Sequence, residues 1–134
     1  MGRLMSEPPV LLDASALLAL LLSEPGADIV RGVMSHSSLS AINYTEVLTR
    51  LIREGESPSS AIADLEMLDL SVIPLDQESA NSAADLSPLA KTHGLSLGDR
   101  ACLATARRLR RKVLTSERKW RKLPELGIDM QFIR

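Results

Sequence analysis

Four acidic residues stand in segments otherwise rich in helix formers or apolar side chains: Asp13 in "PVLLDASALLALLL", Glu46 in "NYTEVLTRL", Asp99 in "LSLGDRACLATA" and Glu117 in "VLTSERKW". Each has a structural explanation of its own. Asn43 to Glu46 and Ser96 to Asp99 have the spacing of a capping box, Asp13 suits an N-cap, and Glu117 suits a first-turn acid favoured by a helix dipole. Capping, however, does not require helix starts to converge on one edge of a sheet. If these four do converge, their carboxylates repel in a low-dielectric cleft unless they are protonated or neutralised by cations. Two hard divalent ions, Mg²⁺ or Mn²⁺, would cancel four negative charges through the oxygen ligands such ions prefer. A water activated by such ions hydrolyses phosphodiesters without a serine or cysteine nucleophile. His36 and His93 form no recognisable pattern with a Cys or Ser partner.

The elements that would have to position these acids are read from periodicity and breakers. "PVLLD" is a short buried strand ending at Asp13, because its apolar residues are contiguous and follow a proline pair. Helix formers from Ala14 to Ser23 continue to a break at "EPGAD", and a second short helix spans Asp28 to Ser35. Ser38 to Ile42 is a second strand. Asn43 opens a helix with Val47, Leu48, Leu51 and Ile52 at helical spacing, ending near Gly55. A helix from Ser57-Pro58 leads to strand Ser71 to Leu75, which its internal Pro74 assigns to an edge. Asp76 to Gly94 is mostly helical, Asp99 to Lys112 is a strong helix, "KVLTS" is a strand and "IDMQFI" a final edge strand. This alternation predicts an α/β fold: a three-layer α/β/α arrangement with a mostly parallel sheet of four to five strands and right-handed crossovers. Sites in such sheets form at the carboxyl ends of strands, where strand order reverses. Asp13 and Glu117 directly follow strands, so the pattern places them there.

Totals agree with this reading. The chain's 134 residues suit one domain, 1–134, with a single core region. Apolar residues make up 45% with one Phe, one Tyr and one Trp, a palette of aliphatics for buried parallel strands. The apolar run Val10 to Leu22 is interrupted by Asp13 and falls short of the roughly 20 residues of a membrane span. Lone Cys102 forms no internal disulfide, and no charged-then-apolar signal segment is apparent, so a cytoplasmic location is expected. The net charge of −1 hides an asymmetry: 5 Lys+Arg against 14 Asp+Glu up to Asp99, and 11 against 3 from Arg100 onward. Such a division suggests a polar interaction surface.

The segments "VLLDASALLALL", "NYTEVLTRL", "LSLGDRACLATA" and "VLTSERKW" resemble, in order and spacing along essentially the whole chain, the four acid-bearing segments of PIN-domain ribonucleases, especially the VapC-type toxins of toxin–antitoxin pairs. The resemblance implies a PIN-like fold and a Mg²⁺- or Mn²⁺-dependent endoribonuclease acting on RNA, commonly a homodimer, held inactive by an antitoxin protein whose tail fills the acidic cleft. Position by position, Asp13 and Asp99 match the family's principal metal-binding aspartates and Glu46 its glutamate. Ser15 matches a hydroxyl supporting the first acid, and Thr115 the hydroxyl residue before the fourth. The family usually has Asp where this chain has Glu117, whose extra methylene moves the carboxylate by about 1.5 Å, a shift to which metal geometry is sensitive.

Among other features, the basic runs "RRLRRK" (107–112) and "ERKWRK" (117–122) suit either phosphate contacts or complementation of a helix dipole. Trp120 and Cys102 are expected in the core. "ALLALLL" is apolar on more sides than one helix face buries, which favours a homodimer. Two rival phosphoryl-transfer readings fit less well. Haloacid-dehalogenase-type phosphatases carry D-x-D where this chain has Ser15 at the second position, and receiver domains need a lysine after the last strand that has no counterpart here. A catalytically silent module holding a basic partner peptide in an acidic cleft is the alternative from a different class.

Overall fold

The computed structural model describes residues 7–134. Five strands, β1 (Val10–Leu12), β2 (Ser37–Ser40), β3 (Ser71–Ile73), β4 (Lys112–Thr115) and β5 (Met130–Phe132), form one sheet in the order β3-β2-β1-β4-β5, with every neighbouring pair parallel. β1 is central and buried along its length, which is why its apolar residues are contiguous. The two edges are β3, followed at once by Pro74, and β5, both as the sequence indicates.

Helices α1 (Ala14–Leu21), α2 (Ala27–Val33), α3 (Ala41–Arg53) and α4 (Pro58–Glu66) pack on one face, and α5 (Gln77–Asp85), α6 (Ser87–His93) and α7 (Leu97–Leu109) on the other. Period-2 alternation of the strands feeds two cores. Val10, Leu12 and Leu114 point into the first, with Leu17, Val47 and Leu65; Leu11 and Val113 point into the second, with Leu103 and Trp120. Each fully buried leucine contributes roughly 1.5–3 kcal/mol, so β1 anchors both layers at once. Cys102 is buried and unpaired, and Trp120 packs in the second core, as expected. Leu18, Leu20, Leu21 and Leu22 are partly covered by their own chain's first core, so the apolar excess of α1 is smaller than its sequence suggests. Among the described residues no helix is long and apolar enough to cross a membrane.

Several boundaries differ from the sequence reading, each for a local reason. α3 opens at Ala41 rather than Asn43, because the Ser40 hydroxyl accepts from the Asn43 amide at 3.1 Å and is the true N-cap. The Asp76–Gly94 stretch breaks at Leu86, since Pro88 supplies no amide to continue the α5 ladder. α7 begins at Leu97 and stops at Leu109, three residues before Lys112, where Arg110 takes a left-handed conformation, φ 53°. The second short helix ends at Val33, and a 3₁₀ turn, Met34–His36, leads into β2.

The chain runs outward from β1 to β2 to β3, then returns to place β4 on the other side of β1. Strand order therefore reverses between β1 and β4. Leu12 pairs with Leu114, and the Asp13 amide donates to the Leu114 carbonyl at 3.0 Å. This register sets Asp13 beside Thr115 at the mouth of the crevice.

Candidate active site

Asp13 leaves β1 at the N-cap position of α1, yet its side chain makes no capping bond. Its Oδ2 accepts instead from the Ser15 hydroxyl at 2.6 Å and the Thr115 hydroxyl at 2.9 Å. Those hydroxyls in turn accept backbone amides from the loop after β4: Ser116 to Ser15 at 3.0 Å, Glu117 to Thr115 at 2.9 Å. Each hydroxyl has one proton to give, and the amide on its lone pair aims that proton at the carboxylate. Burial pushes the Asp13 carboxyl up to about 7; the two hydroxyl bonds pull it down in part, and the charges of Asp99 and Glu117 push it further up. The structural explanation of Asp13 as a cap thus fails, and its environment is that of a held, charge-crowded carboxylate.

Glu46 lies in the second turn of α3, clear of any capping role. Asn43, fully buried, donates from Nδ2 to Glu46 Oε1 at 2.8 Å and to the Gly98 carbonyl at 3.3 Å, while its Oδ1 accepts from the Ser40 hydroxyl at 2.8 Å. One amide side chain thereby fixes the end of β2, the Glu46 carboxylate and the start of α7 together. Gly98 is bare for a reason. A Cβ built there would lie 2.2 Å from Glu46 Oε2.

Asp99 is the third residue of α7 and completes a capping box with Ser96, as the spacing indicates: Ser96 Oγ accepts the Asp99 amide at 3.1 Å and Asp99 Oδ2 accepts the Ser96 amide at 3.0 Å. The cap also orients the carboxylate toward the cleft, so here the structural and functional readings coexist. Lys119 Nζ lies 3.4 Å from Asp99 Oδ2 and donates to the Gly94 carbonyl at 2.8 Å. Glu117, half-buried, sits between β4 and a 3₁₀ turn, Arg118–Lys122, and its side chain makes no cap bond to that turn.

Asp13, Glu46, Asp99 and Glu117 all line one cleft of about 660 Å³, together with Ser15 and Lys119. Thr115 is wholly buried and lies behind the cleft, bonded to its residues Asp13 and Glu117. Along the α3 wall the cleft continues past Thr45, Thr49, Arg50 and Arg53. Among the described residues no three His, Cys, Asp or Glu side chains stand in ligating geometry; the acids share a cavity without touching. Of the basic run 107–112, Arg108 is tied to Ser79, Asp76 and Glu78, and Arg111 to Ser38 at 2.8 Å. No residue of that run lines the cleft.

The sequence marks Asn43 only as a helix cap, gives Gly98 no role, and gives Lys119 only a share in a basic run that suits phosphate contacts. A signal for Gly98 was present: glycine near a helix start, where alanine would gain about 1 kcal/mol, marks a close approach. Lys119 carried no such signal.

The sequence profile described as PIN domain matches residues 10–126. No curated protein sequence matches this one. Among solved structures, the DNA-bound VapBC of Salmonella typhimurium superposes with a TM-score of 0.71 at 16% identity, covering 96% of this chain and 100% of that one. VapBC-1 of nontypeable Haemophilus influenzae gives 0.69 at 16% identity, with 92% and 97% covered. FitAcB of Neisseria gonorrhoeae gives 0.65 at 20% identity, again with 92% and 97% covered. These likenesses concern the fold.

Proposed function

The chain belongs to the PIN-domain family, and from that premise we propose that it is a Mg²⁺- or Mn²⁺-dependent endoribonuclease, the toxin of a VapC-type toxin–antitoxin pair, with residues 1–134 forming one PIN-like domain. The observation that carries the reading is the meeting of Asp13, Glu46, Asp99 and Glu117 in one cleft at the strand-order reversal. The donor set fits a hard divalent ion: it is all oxygen, and burial, with a smaller push from the charges of Asp99 and Glu117, already raises the Asp13 carboxyl to about 7, a cost that a bound cation relieves.

Asp13, Glu46, Asp99 and Glu117 would hold the metal, with Asp13 and Asp99 as principal ligands. When bound, the ion supplies an activated water and positive charge for in-line phosphodiester hydrolysis. The protein's own groups do the positioning. Ser15 and Thr115 hold Asp13 through Oδ2, Asn43 holds Glu46, and the Ser96 amide holds Asp99. Pre-set carboxylates need no reorganisation when charge develops on the scissile phosphate. The guanidiniums of the α3 wall, Arg50 and Arg53, offer donors to the RNA backbone next to the acids.

An acidic cleft of this size also suits the basic tail of an antitoxin partner, and solved structures of the same fold include a toxin–antitoxin complex from Klebsiella pneumoniae and a member of the VapBC family of toxin–antitoxin systems. A homodimer formed partly over the half-buried Leu21 and Leu22, working in the cytoplasm, completes the proposal. Two observations favour a second reading, a silent PIN-like module binding a basic peptide: Glu117 stands where the family usually has Asp, and Lys119 already contacts Asp99.

RNA cleavage with Mn²⁺ or Mg²⁺ separates the two. Wild type is expected to cleave, Asp99→Asn to lose at least about a hundredfold of that rate, and Glu117→Asp to match or exceed wild type. Inertness of wild type and Glu117→Asp alike, with retained binding of a basic peptide, would establish the silent module instead.

A further inference from the structure

Lys119 is a cation built into a cleft of four acids. It lies on the 3₁₀ turn after β4, and that turn is pinned by Trp120, which is 1% exposed. The neighbouring backbone therefore cannot swing away without opening the second core. The ammonium is held at two points, 2.8 Å from the Gly94 carbonyl and 3.4 Å from Asp99 Oδ2. The Gly94 carbonyl is fixed where α6 ends at a left-handed glycine, φ 66°. Asp99 Oδ2 is fixed by the Ser96 amide at 3.0 Å. Both acceptors are thus held by their own helix termini, and Lys119 bridges the C-terminus of α6 to the N-terminus of α7. The bridge occurs on the Glu117 side of the cleft, two residues beyond the acid that departs from the family's usual aspartate.

Resting on the metal-dependent reading above, we propose that Lys119 takes the charge-compensating place of a second divalent ion beside Asp99, so that the cleft would hold a single divalent ion. Four carboxylates then face one divalent cation and one ammonium. The longer Glu117 side chain is tolerated because no second ion imposes strict geometry between it and Asp99. A fixed positive charge this close to Asp99 also repels an incoming cation and lowers its affinity.

The test is Mn²⁺ binding to the intact, RNA-free protein, followed by calorimetry and by the electron paramagnetic resonance signal of free Mn²⁺, for wild type, Lys119→Met, Lys119→Arg and Asp13→Asn. The Lys119 side chain is 44% exposed, and thermal unfolding of each variant verifies that it is folded. Expected are one Mn²⁺ per chain in wild type and in Lys119→Arg, and in Lys119→Met either a second equivalent or binding tighter on the order of tenfold. Identical number and affinity in wild type and Lys119→Met, with binding abolished in Asp13→Asn, overturns the role of Lys119 and leaves the metal-dependent reading intact. Two ions in wild type overturn it likewise. Absence of binding in every form overturns both, and binding that emerges only in Lys119→Met overturns the single-ion cleft of the wild type.

Discussion

Asp13 concentrates the physical problem of the site in one side chain. It is buried, and two hydroxyls bond a single oxygen while two other acids face it. Its carboxyl rises from 3.8 to about 7, so between those values the native state binds a proton that the unfolded chain has released. Metal-free stability from this group is therefore greatest at low pH, falls as pH rises through that window, and levels off above about 7. Urea unfolding in a chelator is expected to show wild type losing about 2 kcal/mol between pH 5 and 7 relative to Asp13→Asn. Added Mn²⁺, which binds the carboxylate form, is expected to shrink that loss. A pH dependence identical in the two proteins would show that Asp13 is not the crowded group. The sequence offers both readings of Asp13, cap and metal-binding acid, and places Ser15 beside it; the second hydroxyl, Thr115, arrives from a hundred residues away and only the fold brings it there.

At the scale of elements, the site is the place where four helix or turn starts meet the ends of β1, β2 and β4, and there α3 packs directly against the start of α7. Gly98 and Asn43 make the approach possible, one by lacking a side chain and the other by bonding both helices. Gly98→Ala is expected to leave stability within about 1 kcal/mol, because the atom it strikes is the movable end of Glu46 and alanine is the better helix former. The same substitution is expected to lower metal-dependent cleavage at least about tenfold by pushing the Glu46 carboxylate out of place. Equal cleavage with unchanged Mn²⁺ affinity would remove Glu46 from the site. Here the sequence showed half the picture. The capping box at Ser96 and Asp99 is legible because it is local, whereas the capping alternative for Asn43 and Glu46 does not hold, because the true cap, Ser40, sits three residues before Asn43.

Across the whole molecule, the charge asymmetry resolves into two different jobs. The basic end of α7 is spent on internal ties, Arg108 to Ser79, Asp76 and Glu78 and Arg111 to Ser38, away from the cleft. The cleft's own cations, Arg50, Arg53, Lys119 and Arg134, come from scattered positions. RNA binding by a cleavage-dead Asp99→Asn protein is accordingly expected to weaken several-fold, with a shallower salt dependence, in Arg53→Glu, and to be unaffected in Arg110→Glu. The opposite ranking would move the RNA path to the α7 end.

The sequence by itself determined the α/β alternation, the edge strands and the four acids, because buried strands, proline and helix starts are written locally in residue type. It also carried the PIN-domain pattern, since four spaced segments together are specific where each alone is not. Only the tertiary structure decided that Thr115 supports Asp13, that Asn43 and Gly98 seat Glu46, and that Lys119 rather than the basic run 107–112 faces the acids. Those contacts depend on strand register and on the return of the chain to the far side of β1, which bring together residues whose spacing along the chain leaves no periodic trace.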